Sequence, residues 1–101
     1  MTAENPKLSL KTLNDIEARI TNNLESVKDY ETIDFFLSSI GLQGTLMGVF
    51  MQNGISNYSQ YIADKLNPNK PNYRAVSAIS GYIKGLLNGL KNYAQSNNLI
   101  V

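Results

Sequence analysis

Apolar positions recur along most of this chain at intervals of three and four. Leu13, Ile16, Ile20, Leu24 and Val27 fall on one face of an amphipathic helix expected over residues 10–28. Thr12 with Asp15 three positions on resembles a capping box, and Ser9 offers an alternative N-cap one turn earlier. A second helix is expected from Thr32, because Ile33, Phe36, Leu37 and Ile40 share a face and Asp34 lies in the first turn, where the helix dipole favours an anion. Gly41 and Gly44 interrupt it, since a glycine inside a helix costs about 1 kcal/mol relative to alanine. Thr45 to Met51 follows as a short element. Small and apolar residues alternate over Leu42, Gly44, Leu46, Gly48 and Phe50, so residues 42–51 read as either helix or strand.

Asn53-Gly54 marks a turn, and Ser56 is a reasonable N-cap for a helix whose face is Tyr58, Tyr61, Ile62 and Leu66. Residues 67–72, NPNKPN, are the clearest connector, because proline biases the residue before it toward extended backbone. The last element has the strongest pattern. Val76, Ile79, Ile83, Leu86, Leu90 and Tyr93 are separated by three and four in turn, a heptad-like seam on a helix expected from Tyr73 to Gln95. Beside the seam Ser77, Gly81, Gly85 and Gly89 repeat every four residues as a groove without large side chains. Close packing of another helix, within the chain or from a partner, would offset the cost of these glycines. The architecture expected is all-α: a small antiparallel bundle of four to five helices with a long C-terminal helix, in a single domain over 1–101 whose residues 1–8 form a flexible N-terminus.

Composition narrows the chemistry. The 101 residues include no cysteine and no histidine, which removes the usual reagents of zinc sites, thiolate nucleophiles, disulfides and imidazole catalysis. No pair of carboxylates sits in an apolar stretch that would tune it for acid–base work, and Asp64, the one acid after residue 34, reads as an ordinary surface residue. The glycines lie within apolar helical patterns rather than between a strand and a helix, so no phosphate loop is read, and no Asp-rich loop offers a metal site. The chain is expected to be no enzyme, with no catalytic residue, cofactor, metal or small-molecule substrate. Residues 35–63 carry no charge, but their apolar part, Phe35 to Met51, has 17 residues interrupted by Ser38, Ser39, Gln43 and Thr45, short of the ~20 a membrane span needs. A buried central segment is expected instead. The N-terminal residues show no secretory pattern, so a cytoplasmic location is expected.

Charge is balanced overall at +1 but unevenly placed. Residues 1–34 hold seven acids and four bases (net −3), and residues 35–101 hold one acid and five bases (net +4). The basic part also holds Tyr58, Tyr61, Tyr73, Tyr82 and Tyr93, a mixture suited to phosphates and unpaired bases. Residues 58–66 and those from Tyr73 onward loosely resemble a helix-turn-helix. In that reading Lys65, Lys70, Asn72, Tyr73, Arg74, Lys84 and Lys91 form the nucleic-acid surface, although a six-residue connector with two prolines is longer than the usual turn. The plainer alternative is that the acidic first helix packs on the basic last one.

A chain of this length buries only about two-thirds of the surface its unfolded form exposes, so a single core must do the stabilising unless a second chain extends it. The seam from Val76 to Tyr93, the glycine groove beside it and the uncharged central segment make the leading expectation a non-enzymatic interaction module, self-associating as a homo-oligomer or serving as a small subunit of a larger assembly, with Ser77, Gly81, Gly85 and Gly89 at the contact. Nucleic-acid binding is the alternative.

Overall fold

The computed structural model describes residues 7–67, 69 and 72–101. The expectations for residues 1–6, and for Pro68, Lys70 and Pro71 in the connector, lie outside the described residues. Every regular element among those described is an α-helix, in the order α1 (Leu10–Thr21), α2 (Val27–Ser39), α3 (Thr45–Gln52), α4 (Tyr58–Lys65) and α5 (Tyr73–Ser96). The last is the longest at 24 residues, so the all-α reading with a long C-terminal helix holds.

The N-terminal third departs from expectation. In place of one helix over 10–28 the chain makes α1, breaks at residues 22–26, and starts α2 five residues before Thr32. The cause is local polar chemistry. Asn23 takes the left-handed conformation at φ 58°, which asparagine tolerates better than most residues. Asp29 then accepts the Ser26 backbone N–H at 3.3 Å and starts the next helix. With the turn in place, Leu24 leaves the face assigned to it and is 71% exposed. Of the two caps weighed for α1, Ser9 is the one used, accepting the Thr12 N–H at 3.2 Å.

Residues 45–52 are helical, which decides the ambiguous 42–51 stretch. Gly44 enters α3 with φ 79° and Gly41 leaves α2 with φ 85°, backbone states open to glycine at no steric cost. At α4 the N-cap is Asn57 rather than Ser56, its side chain accepting from Gln60 N–H at 2.8 Å.

The core is an aromatic knot joined to an aliphatic layer. Tyr30 from α2, Phe50 from α3, and Tyr58 and Tyr61 from α4 meet with ring centroids 5.1–6.2 Å apart, mostly edge to face. Leu13 and Ile16 of α1 join it with Ile33, Phe36, Leu37, Leu46 and Ile55. From α5 the fully buried residues are Ile79, Ile83, Leu87, Leu90 and Ala94. This corrects the seam: Leu87 and Ala94 take the inward places expected of Leu86 and Tyr93, while Val76 is half-buried and Tyr93 is 40% exposed. A heptad seam suits a supercoiled partner. This helix instead crosses several short ones, so its buried stripe keeps close to the 3.6-residue turn of a straight helix.

Two further ties fix the ends. Leu99 and Ile100 carbonyls accept the Leu10 and Lys11 backbone N–H groups at 2.7 and 3.0 Å, satisfying donors that the first turn of α1 leaves free. Arg19 clamps the other end of α1 to α2 by a bidentate pair with Asp29, 3.0 Å from Nε and 2.7 Å from Nη2.

Candidate functional site: the outer face of the long helix and the cleft beside it

With its aliphatic stripe turned inward, α5 presents Ser77, Gly81, Gly85 and Gly89 to solvent, all exposed. A methyl group built on any of the three glycines meets no atom within 4 Å beyond the neighbouring backbone of α5 itself, so no other described helix packs into the groove. Tyr82 and Tyr93 flank the stripe, each 40% exposed, with half-buried Leu86 between them. A ridge of aromatic and aliphatic surface thus runs beside a flat track of small residues.

On the opposite flank α5 forms a cleft of about 440 Å³ with the C-terminal part of α1 and with α4. Ile20, Ile83 and Leu87 supply its apolar lining, and Lys65, Lys84 and Asn88 are among its polar groups. Below it lies a buried polar network. Glu25, whose side chain is 1% exposed, accepts hydrogen bonds from the Tyr30 hydroxyl at 2.7 Å and from Lys65 Nζ, and the same ammonium group donates to the Ile20 carbonyl at 3.1 Å. Tyr61 and Ser80 share a hydroxyl–hydroxyl hydrogen bond of 2.6 Å in the cleft wall. Burial first, then the Glu25 hydrogen bond, pushes the Tyr30 phenol far above its ordinary range. Burial raises Tyr61 as well, against the opposing pull of the Ser80 hydrogen bond. Burial, with Asp34 and Glu31 nearby, pushes Tyr58 up to about 12. These phenols stay protonated at neutral pH and serve as core groups with a polar tip.

The residues considered for nucleic acid do not assemble into one described surface. Lys65 is engaged with Glu25, Lys91 with Glu17, and Asn72 donates to Asp64 at 3.0 Å. Lys70 lies outside the described residues. Tyr73, Arg74 and Lys84 are exposed, but Tyr73 and Arg74 open α5 while Lys84 sits about three turns along it. Tyr58 and Tyr61 belong to the aromatic knot. The Glu17–Lys91 bridge joins α1 to α5, the acidic-on-basic packing weighed as the plainer alternative.

The cleft and its network are not legible in the sequence because Glu25 and Lys65 are 40 positions apart and the pattern of each segment carries no sign of the other. The one signal available is Lys65 beside Asp64 at the end of a helix that otherwise carries no charge. Among the described residues no cluster of acids could hold a metal ion, and no helix is long and apolar enough to cross a membrane. Comparison with protein-family models, with curated proteins and with solved structures finds no match to this chain.

Proposed function

We propose that the protein is a non-enzymatic helical interaction module that self-associates through the outer face of α5, alone or as a small subunit of a larger cytoplasmic assembly. The observation that carries this reading is the open glycine track. Three glycines inside one solvent-facing helix cost about 1 kcal/mol each relative to alanine, and none of the other described elements packs on them in return. A second copy of the same face would. Residues four apart form a ridge-and-groove row inclined to the helix axis, and two such rows fit each other at a crossing angle of about −50°. A two-fold axis near Gly85 would set each track against its twin, with Tyr82 and Tyr93 closing the flanks.

Nucleic-acid binding is weakened by the internal pairing of Lys65 and Lys91, which spends cations that would otherwise meet phosphates.

The test is mass in solution. Sedimentation velocity across a wide concentration range should show wild type moving from monomer to dimer, and Gly85→Leu, which fills the track, should remain monomeric with an unchanged helical circular-dichroism spectrum. A wild type that stays monomeric at the highest concentration, or a variant that dimerises as well as wild type, overturns self-association.

A further inference from the structure

We propose that the cleft between α1, α4 and α5 binds a small amphipathic organic anion, an apolar body with a single carboxylate or similar head. This inference stands on the cleft alone and holds whether or not the outer face of α5 pairs. Its volume of about 440 Å³ falls within the range of small-molecule sites, which run from about 300 to 1,000 Å³. Ile20, Ile83 and Leu87 give apolar surface for the body, and polar groups from α1, α4 and α5 surround it.

The sign of the ligand's charge follows from pairing. Among the described residues three charged side chains line the cleft: Glu17, Lys65 and Lys84. Glu17 is neutralised by Lys91 and Lys65 by Glu25. Lys84 makes no ion pair or hydrogen bond with the described residues, so the excess charge of the site is one ammonium group. Asn88 lies one turn further along α5, where i and i+4 side chains are neighbours, and its amide is likewise uncommitted among the described residues. Asn23 faces them from beyond the end of α1, held there by its left-handed backbone. An anionic head that accepts from Lys84 and Asn88 leaves its tail over Ile83 and Leu87. A ligand with a cationic head would meet Lys84 unscreened, and a purely apolar one would leave these donors without an acceptor. Lys65 has a supporting part: held by Glu25 and the Ile20 carbonyl, it fixes the end of α4 against α1 and keeps the cleft open.

The experiment is a titration of the isotopically labelled full chain, followed by amide proton–nitrogen correlation spectra, with sodium octanoate, octan-1-ol and inorganic phosphate as separate probes. Octanoate should give saturable shifts centred on Thr21, Asn23, Lys84 and Asn88, with octanol and phosphate each binding at least about tenfold more weakly. Lys84→Met, which keeps the length of an exposed side chain and removes its charge, should weaken octanoate about three- to fivefold, the range of a solvent-exposed ion pair, and leave octanol unchanged. Octanol binding as well as octanoate, shifts centred on Gly81, Gly85 and Tyr93 instead, no saturable shift, or a Lys84→Met variant equal to wild type would each overturn the proposal. Because the dimer test uses Gly85→Leu and reads mass, while this one uses Lys84→Met and reads cleft shifts, failure of one is distinguishable from failure of the other.

Discussion

Glu25 is the residue on which the buried polar chemistry converges. A carboxylate removed from water needs partners, and it has two, the Tyr30 hydroxyl and the Lys65 ammonium. Breaking such a pair by removing one member leaves the other charge buried and uncompensated. Glu25→Ala is therefore expected to destabilise the fold by about 3 kcal/mol, measured by urea unfolding; a loss near the few tenths typical of a surface site would show that Lys65 finds water instead. The tyrosines make a second prediction. In the unfolded chain these phenols ionise near pH 10, whereas Tyr30, Tyr58 and Tyr61 hold their protons to higher pH in the fold. Between those limits the folded state binds more protons than the unfolded one, so stability is complete below about pH 10 and falls as pH rises above it. Urea midpoints at about pH 8, 9.5 and 11 should be level between the first two and drop at the third. A midpoint unchanged at the highest pH would mean that these side chains meet solvent.

At the scale of elements, short helices are ended by identifiable residues. Asn23 closes α1, and Ser26 with Asp29 opens α2, overriding an apolar period that by itself would carry one helix through both. The long helix shows the opposite case. Its pattern is strong enough that α5 forms as expected, yet which apolar residues face inward was shifted by one position at Leu87 and Ala94. Its glycines give a prediction independent of any partner. A Cβ at Gly81, Gly85 or Gly89 meets open space, and none of the three has positive φ. The triple change to alanine should therefore raise the unfolding free energy of the dilute protein by about 2–3 kcal/mol, since each glycine is worth up to about 1 kcal/mol. An unchanged or lowered melting temperature in dilute solution would mean that these positions are tightly packed after all.

At the scale of the whole molecule, the five helices form a body of 42 × 27 × 25 Å, spanned lengthwise by α5. Opposite charges placed in different thirds of the sequence come together as bridges: Glu17 to Lys91 between α1 and α5, and Glu25 to Lys65 between the α1–α2 turn and α4. What looks in sequence like a basic half available to a polyanion is partly consumed in holding the acidic third. The same folding leaves two surfaces unspent, the glycine track and the cleft with Lys84 at its edge. The dimer test belongs to the first and the octanoate titration to the second.

The sequence by itself determined the all-helical class and the length of α5, but it placed Asp64 at the surface where the fold buries it. The class and the length follow from the period of apolar residues and from turn chemistry, interactions that reach no more than about one helical turn. It also marked the four-residue glycine repeat. Only the tertiary structure decided that this repeat faces solvent, that Tyr58 and Tyr61 join Tyr30 and Phe50 in the core, and that Glu25 is buried under Lys65. The physical reason is that burial and charge pairing depend on which residues meet across tens of positions, and local propensity has no term for that. A lysine in sequence is a charge, and the fold makes it either a strut, as at Lys65, or a donor uncommitted among the described residues, as at Lys84.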